Sequence, residues 1–305
     1  MQIAPSTLQA PSASGETGGA HGGSRNWSRT ETWLPLLILV ILALIFLAPL
    51  VFMLVTSLRS QNEITRGVIS WIPNPVTGEN YRQIVNDPQN PIGRWFVNSL
   101  FVSLAGTVLT LAVASAAAYS LSRLTFPGRD ALFLVLLSSM LIPGILLVIP
   151  LYNEFANAIP NYSLIDTYWP LILPYASSVF GVFLLRQFYQ AIPKEIEEAA
   201  MLDGAGKFRR WYGLVVPLTV APTVTLAILT FMSIYNDYLG PLLFTTSTDM
   251  RTITVGVALV TLGSYVSNYG GLMAFSTIAA IPVIVIFLIL QRYFIGSSAL
   301  SGVKG

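Results

Sequence analysis

The sequence predicts an all-α fold: a polytopic membrane protein of about six transmembrane helices. Composition is the first reason, since 54% of the 305 residues are hydrophobic and only 10% are charged, against roughly 25% charged in an ordinary soluble domain. A mean hydropathy of +0.67 agrees. The second reason is length. Several uncharged stretches reach the roughly 20 apolar residues a helix needs to cross a bilayer core, where every backbone amide must be satisfied within its own segment.

The composition also excludes classes of function. There is no cysteine, so no disulfide, thiolate nucleophile or Cys-ligated metal is available. The one histidine, His21, lies in a Gly/Ser-rich stretch and gives no zinc site. A formal charge of +2 is too small to point to nucleic acid.

Residues 1–30 form a polar tail, PSASGETGGAHGGS at its centre, which cannot bury a core and is expected to be disordered and cytoplasmic. Residues 31–305 are expected to form the transmembrane domain. Its first apolar run, Trp33 to Leu58, is 26 residues long, too long for the apolar part of a secretory signal and without a small-residue cleavage site. The next runs are Trp95 to Ser122, Ala131 to Asn153, Thr167 to Leu185 and Trp211 to Asn236. The run from Thr252 to Gln291 is too long for one ordinary span. Its polar, Gly-rich patch, Thr261 to Gly271, divides it into an interfacial or re-entrant piece at Ile253–Val260 and a sixth span near Leu272–Phe294. With both termini inside, the inner connections hold 11 Lys/Arg and the outer ones 5, the bias expected of cytoplasmic loops.

One inner connection, residues 191–217, is more than a turn. Pro193 suits a first helical turn, and Glu195, Glu197 and Glu198 follow at the positive end of the helix. Ala199, Ala200, Met201 and Leu202 are good helix formers, and Gly204 or Gly206 can end the helix in a left-handed cap. The expectation is a surface helix of about ten residues whose alanines admit another backbone at close range. Phe208, Trp211 and Tyr212 follow at i, i+3, i+4, a spacing suited to anchoring a second turn against the span ends. These features fit an ordinary interfacial helix and a docking helix equally.

Glu198-Ala199-Ala200, then Asp203-Gly204, then nine residues, then Leu214-Val215-Val216-Pro217 closely resembles the EAA motif of ABC importer permeases, with Leu214 and Val216 as mild departures. Ile142-Pro143-Gly144 to Leu151, Leu164 to Thr167, Ile172 to Pro174, Phe183 to Gln187 and Tyr235 to Leu242 resemble the carbohydrate (maltose-type) branch, which usually has Trp where Tyr235 stands. The resemblance runs from about Leu34 to the C-terminus. It implies a type I ABC importer permease (MetI-like) architecture in a bacterial or archaeal cell membrane. It also implies a coupling helix whose Glu198, Ala199, Ala200, Asp203, Gly204 and Pro217 meet a cytoplasmic ATPase dimer. Further implied partners are a second permease subunit, an extracytoplasmic sugar-binding protein and the sugar itself. The C-terminal tail, 296–305, ends in Val303, Lys304 and Gly305, which resemble residues that extend toward the ATPase dimer.

The chain itself is not expected to be an enzyme. Gly204-Ala205-Gly206-Lys207 looks superficially like a phosphate loop, but Met201 occupies the first glycine position and Phe208 follows the lysine where Ser or Thr is required. ATP and Mg therefore belong to a separate subunit, and this chain needs neither cofactor nor metal. Ionisable residues inside spans are costly and mark function; the expected spans hold almost none. Asp237, beside Tyr235 and Asn236, fits either a carboxylate at the water interface or part of a substrate path offering an aromatic face and hydrogen bonds to sugar hydroxyls. The scarcity of membrane carboxylates counts against proton- or sodium-coupled transport and suits a neutral cargo. Alternatives are a stand-alone secondary transporter and an ABC permease for a non-sugar solute.

Overall fold

A computed structural model describes residues 29–66, 71–263 and 268–301, with side chains at 33–66, 71–263 and 268–291. Val303, Lys304 and Gly305, and nearly all of the expected N-terminal tail, lie outside the described residues. The chain divides into two compact units, Met1–Pro49 and Leu50–Gly305. The described part of the first is the start of α1 (Arg29–Ser57), whose stretch Trp33–Ser57 is long and apolar enough to span a membrane.

In the second unit, two short helices, α2 (Gln61–Thr65) and α3 (Glu79–Val85), lead to the longest described span, α4 (Ile92–Arg123). Among the described residues there is no strand, only an isolated bridge between Ile159 and Tyr162. The protein is all-α. Among the described residues, three helices are long and apolar enough to cross a membrane, or up to six if each bent pair counts as one span.

The bent pairs correct three of the expected spans, which are not continuous. The third consists of α5 (Arg129–Ser139) and a second arm that ends in α6 (Val148–Ala156), at 92° to each other. The fourth opens with α7 (Trp169–Ile172) and a 3-10 turn, and bends by 41° into α8 (Val179–Gln190). In the fifth, the run expected from Trp211 instead begins as a separate arm. After α9 (Lys194–Leu202), α10 (Lys207–Arg210), a π-helical turn and α11 (Val216–Leu218) form a segment bent by 83° from α12 (Val220–Tyr235). Pro143, Pro174 and Pro217 sit at or beside these breaks. Each lacks an amide proton and clashes with the carbonyl four residues back, so the ladder is interrupted where it stands. The helix α13 (Leu239–Phe244) follows. The apolar α14 (Ile253–Leu262) is the short piece expected before the last span, and α15 (Tyr269–Ser301) closes the chain with Pro282 inside it.

The helix α4 is the spine, packing against α8 and α12. Its buried face carries Ser99, Ser103, Thr107, Thr110 and Ser115, with Gly106 among them. Small side chains let helices approach closely where no hydrophobic force distinguishes protein from lipid. Three apolar clusters hold the unit together. One joins Trp95, Phe231, Tyr235 and Phe275; a second joins Ala114, Tyr119, Leu185, Tyr189 and Leu226; the third joins Val102, Leu171, Ile234 and Phe244. At Gly256 the backbone of α14 lies so close to Trp95 that an added Cβ would stand 2.1 Å from the ring.

Candidate functional site

At the C-terminal end of α4, the helix α9 is held by a buried polar knot. Arg123 Nε lies 3.0 Å from Glu197 Oε1, the side chains 7% and 9% exposed; the atoms are at ion-pair distance without hydrogen-bond alignment. Arg123 Nη2 donates to the carbonyls of Tyr189 and Ile192 at the end of α8, and the Tyr119 hydroxyl donates to Glu197 Oε2 over 3.3 Å. One guanidinium thus ties together α4, the end of α8 and α9. Glu197, expected from sequence only as a carboxylate at a helix start, is turned inward.

The helix α9 matches the expected surface helix, with Pro193 as its cap and a Schellman motif at its end. Gly204 adopts φ +77°, its amide donates to Met201 and the amide of Ala205 to Ala200. Of the two glycines considered as caps, Gly204 takes the role, while Gly206 is extended and caps α10. Within the EAA stretch, Glu198 and Ala199 are exposed and Ala200 is half-buried. Leu202, at the tip, is 91% exposed, and Met201 is also exposed. Asp203 and Ala200 line a notch of about 240 Å³ with Arg209, Arg210 and Leu214. Pro217 lies on the exposed α11.

The three aromatics after Gly206 do not act alike. Trp211 anchors as expected, its Nε1 donating to Ser115 Oγ at 2.9 Å on α4. Phe208 and Tyr212 are exposed instead and lie against each other, centroids 5.1 Å apart. The π-helical turn at Trp211–Val215 widens the spiral there, so the i, i+4 pair does not share an inward face.

The trio Tyr235, Asn236 and Asp237 is divided between two faces. Tyr235 is buried, its hydroxyl donating to the Ala279 carbonyl at 2.8 Å. With Asn236 it lines a largely apolar cavity of about 690 Å³ that includes Val257, Ala280 and Val283. Asp237 faces α7 and α8 instead. Its Oδ2 accepts from the Tyr175 hydroxyl at 2.7 Å, and its Oδ1 from the amides of Leu239 and Gly240.

The N-terminal end of α4 carries a second network that sequence reasoning missed. Asn98 Nδ2 donates to the carbonyls of Asp249 and Arg251, Trp95 Nε1 to that of Thr248, and the Tyr168 hydroxyl to Asn98 Oδ1. Asp166, at φ +64°, donates its amide to Phe244, and its Oδ1 accepts the amides of Thr246 and Ser247 at 2.8 and 2.9 Å. Burial opposes ionisation of this carboxyl, but the bonds from Ser247 and Thr246 outweigh it and hold the pKa below the usual range. Among the described residues, no cluster of His, Asp or Glu could hold a metal.

These features define a polytopic helical membrane protein with a capped helix projecting from the end of its spans. The comparisons give the family. Residues 109–297 match the family described as binding-protein-dependent transport system inner membrane component, and this chain belongs to it. It is similar to the arabinooligosaccharides transport system permease protein AraQ of Halalkalibacterium halodurans, 32% identical over 92% of this chain and 99% of that protein. It is also similar to the diacetylchitobiose uptake system permease protein NgcG of Streptomyces coelicolor, 30% identical over 85% of each chain. Among solved structures, a bacterial ABC transporter involved in the import of the acidic polysaccharide alginate has the same fold, with a TM-score of 0.76 at 21% identity, covering 88% of this chain and 99% of that one. The chain is therefore a membrane permease subunit of a binding-protein-dependent ABC transport system, and it lies in the membrane as a multi-pass protein.

Proposed function

We propose that this chain is one of two permease subunits of an ABC sugar importer, receiving sugar from an external binding protein and driven by a separate pair of cytoplasmic ATPase subunits that hold ATP and Mg. The observation that carries the reading is the helix α9. It exposes Ala199, Met201 and Leu202 at its tip while Glu197 is fixed to α4 by Arg123. A helix exposed on one face and rigidly tied on the other is suited to transmit movement. ATP-driven closure of the ATPase pair would move α9 as a lever around Glu198–Gly204, and the spans would rock between inward- and outward-open states. ATP shifts that equilibrium only through its different affinity for the two states. Pro217 would lie at the edge of the same contact, and Val303, Lys304 and Gly305 would extend toward the ATPase dimer. Both termini are assigned to the cytoplasm from the bias of 11 Lys/Arg against 5 in the connections.

Sugar as cargo is supported by the relatives' names. Those above are joined by the trehalose/maltose transport system permease protein MalG of Thermococcus litoralis, 29% identical over 87% of this chain. A second reading, a non-sugar solute, is favoured by similarity at 29% identity to a sn-glycerol-3-phosphate transport system permease protein of Yersinia pestis.

The test is co-purification from the native membrane followed by reconstitution. An ATPase and a second permease should remain bound, and uptake should require ATP and the binding protein. Ala199→Trp, which blocks close approach, should abolish both uptake and the stimulation of ATPase activity. Normal uptake by the inserted variant, or uptake by the purified chain alone, would sink the proposal; the latter result would identify a secondary transporter.

A further inference from the structure

The helices α4 and α8 cap each other's C-terminal ends with arginines. The last four carbonyls of a helix have no partner within it, and a cation is favoured beside them. Arg123, the last residue of α4, donates to the carbonyls of Tyr189 and Ile192 at the end of α8. Arg186 of α8 returns the contact, its Nε donating to the Leu121 carbonyl at the end of α4 over 3.3 Å. Neither end can slide along the other without breaking bonds at both.

Each arginine also holds a third helix. Arg123 holds α9 through Glu197. Among the described residues, none of α9 enters the three apolar clusters, so this helix is tied to the spans by the polar contacts of Glu197 with Arg123 and Tyr119. Arg186 holds α5. Its guanidinium carbon lies 3.8 Å from the centre of the Phe133 ring, and its Nη2 stands 3.7 Å from Asp130 Oδ1. Asp130 is exposed and shared with Arg129, which makes the desolvated ring contact the stronger link. Phe133 in turn stacks on Phe183 of α8, centroids 6.5 Å apart. The breaks in the spans fall at the edges of this group. The helix α5 ends before the 92° bend, α8 begins at the 41° bend, where Ser178 caps it, and Gly204 closes α9. Inside the group each helix is unbroken; at its edges the backbone ladder is interrupted.

We propose that Arg186 is a positioning residue for transport: with Arg123 it joins α5, α8, α9 and the C-terminal end of α4 into one rigid block. Movement of α9 is then delivered to the third span as well as the fourth, and bending is taken up at the breaks after Ser139 and before Val179. The assignment rests on the reading of α9 as an ATP-driven lever.

The absence of native cysteine permits spin labels at chosen positions in the assembled, reconstituted transporter. One pair, Leu132→Cys with Lys194→Cys, lies within the block on exposed positions of α5 and α9. The other, Leu132→Cys with Ile149→Cys, spans the 92° bend. Between the ATP-free and the vanadate-trapped states, the first distance should stay constant and the second should change. Arg186→Met keeps the apolar stem and removes the cation; in that background the first distance should change too. It should also lower the solute moved per ATP hydrolysed at least about 5-fold, the low end of an ordinary coupling energy. Maltose, trehalose, arabinotriose, diacetylchitobiose and sn-glycerol 3-phosphate are the cargoes to try. Arg186→Lys, which keeps a cation over Phe133, should recover part of the loss. A merely structural role would lower uptake and hydrolysis in proportion and leave their ratio untouched. The labelled native pairs decide the matter even where Arg186→Met fails to insert. If uptake is ATP-driven, the block is wrong and the importer reading stands on any of three results: a Leu132–Lys194 distance that shifts on trapping, a Leu132–Ile149 distance that does not, or a native ratio in Arg186→Met. If the chain moves solute without ATP and neither distance responds to trapping, the importer reading falls, and the block with it.

Discussion

Arg123 Nε stands 3.0 Å from Glu197 Oε1, joining the last turn of the longest described span to the first turn of the helix that projects beyond it. The same guanidinium holds the carbonyls of Tyr189 and Ile192. Burying two charges gains little by itself, but removing one partner strands the other away from water. Glu197→Ala should therefore lower stability by about 3 kcal/mol. Arg123→Ala should cost more, because it also leaves the two carbonyls without their donor. Thermal unfolding of the purified complex in detergent measures both. A Glu197→Ala variant as stable as the native protein would show the pair to be no structural tie.

The end of α9 gives a graded test. Gly204 sits at φ +77°, and an added Cβ would meet nothing within 4 Å, so the constraint is conformational and not steric crowding. An L-residue there costs roughly 1–2 kcal/mol, and Asn costs less because its side chain bonds locally. Transport should fall in the order Gly, Asn, Ala, and vanish for Gly204→Pro, whose φ is fixed near −65°. Uptake rates normalised to inserted protein decide the order. Equal rates for Ala and Pro would show that cap geometry is not what matters.

The apolar spans and the α9 helix were legible in the sequence because their signals are local: run length, first-turn carboxylates, a glycine at the stop. Breaks within the spans were only hinted at by proline, since Pro143 and Pro174 mark bends while Pro282 lies inside an unbroken α15. Whether a ladder breaks depends on what neighbours re-satisfy its freed carbonyls. The pairing of Arg123 with Glu197 was invisible for a related reason. The two are brought together by packing of α4 and α8, and nothing local distinguishes Glu197 from Glu195 or Glu198. Likewise, which way Tyr235 and Asp237 point is set by α15 and by Tyr175, not by their adjacency in the chain.

Gly256 offers a test of packing alone. Its Cα hydrogen occupies the space over the Trp95 ring, and a Cβ would stand 2.1 Å from Cε3. Trp95 is fully buried and its Nε1 donates to Thr248 at 2.6 Å, so the ring cannot give way without breaking that bond. Gly256→Ala should destabilise by about 1–3 kcal/mol and lower the melting temperature. Pairing it with Trp95→Leu should recover part of the loss. If the single substitution leaves the melting temperature unchanged, α14 and α4 are not packed at the distance seen here.

Asp166 predicts a pH dependence whose sign follows from its bonds. Its native pKa is depressed, burial opposing the shift and the Ser247 and Thr246 bonds prevailing. A group with a lowered native pKa stabilises the fold fully above its unfolded value, about 3.9, and loses that contribution as pH falls through the native value. Asp166→Asn keeps an acceptor for both amides and tolerates φ +64°, so near pH 7 it should be only mildly destabilising. The variant should also lack this acid-side loss. Asp166→Ala leaves both amides without their acceptor and strains the backbone, costing about 1–3 kcal/mol. Melting temperatures of the three proteins between pH 7 and pH 3 make the comparison. The native curve should descend toward the Asn variant as the carboxyl protonates; parallel curves would mean that the charge on Asp166 does not hold the loop at Thr246 and Ser247.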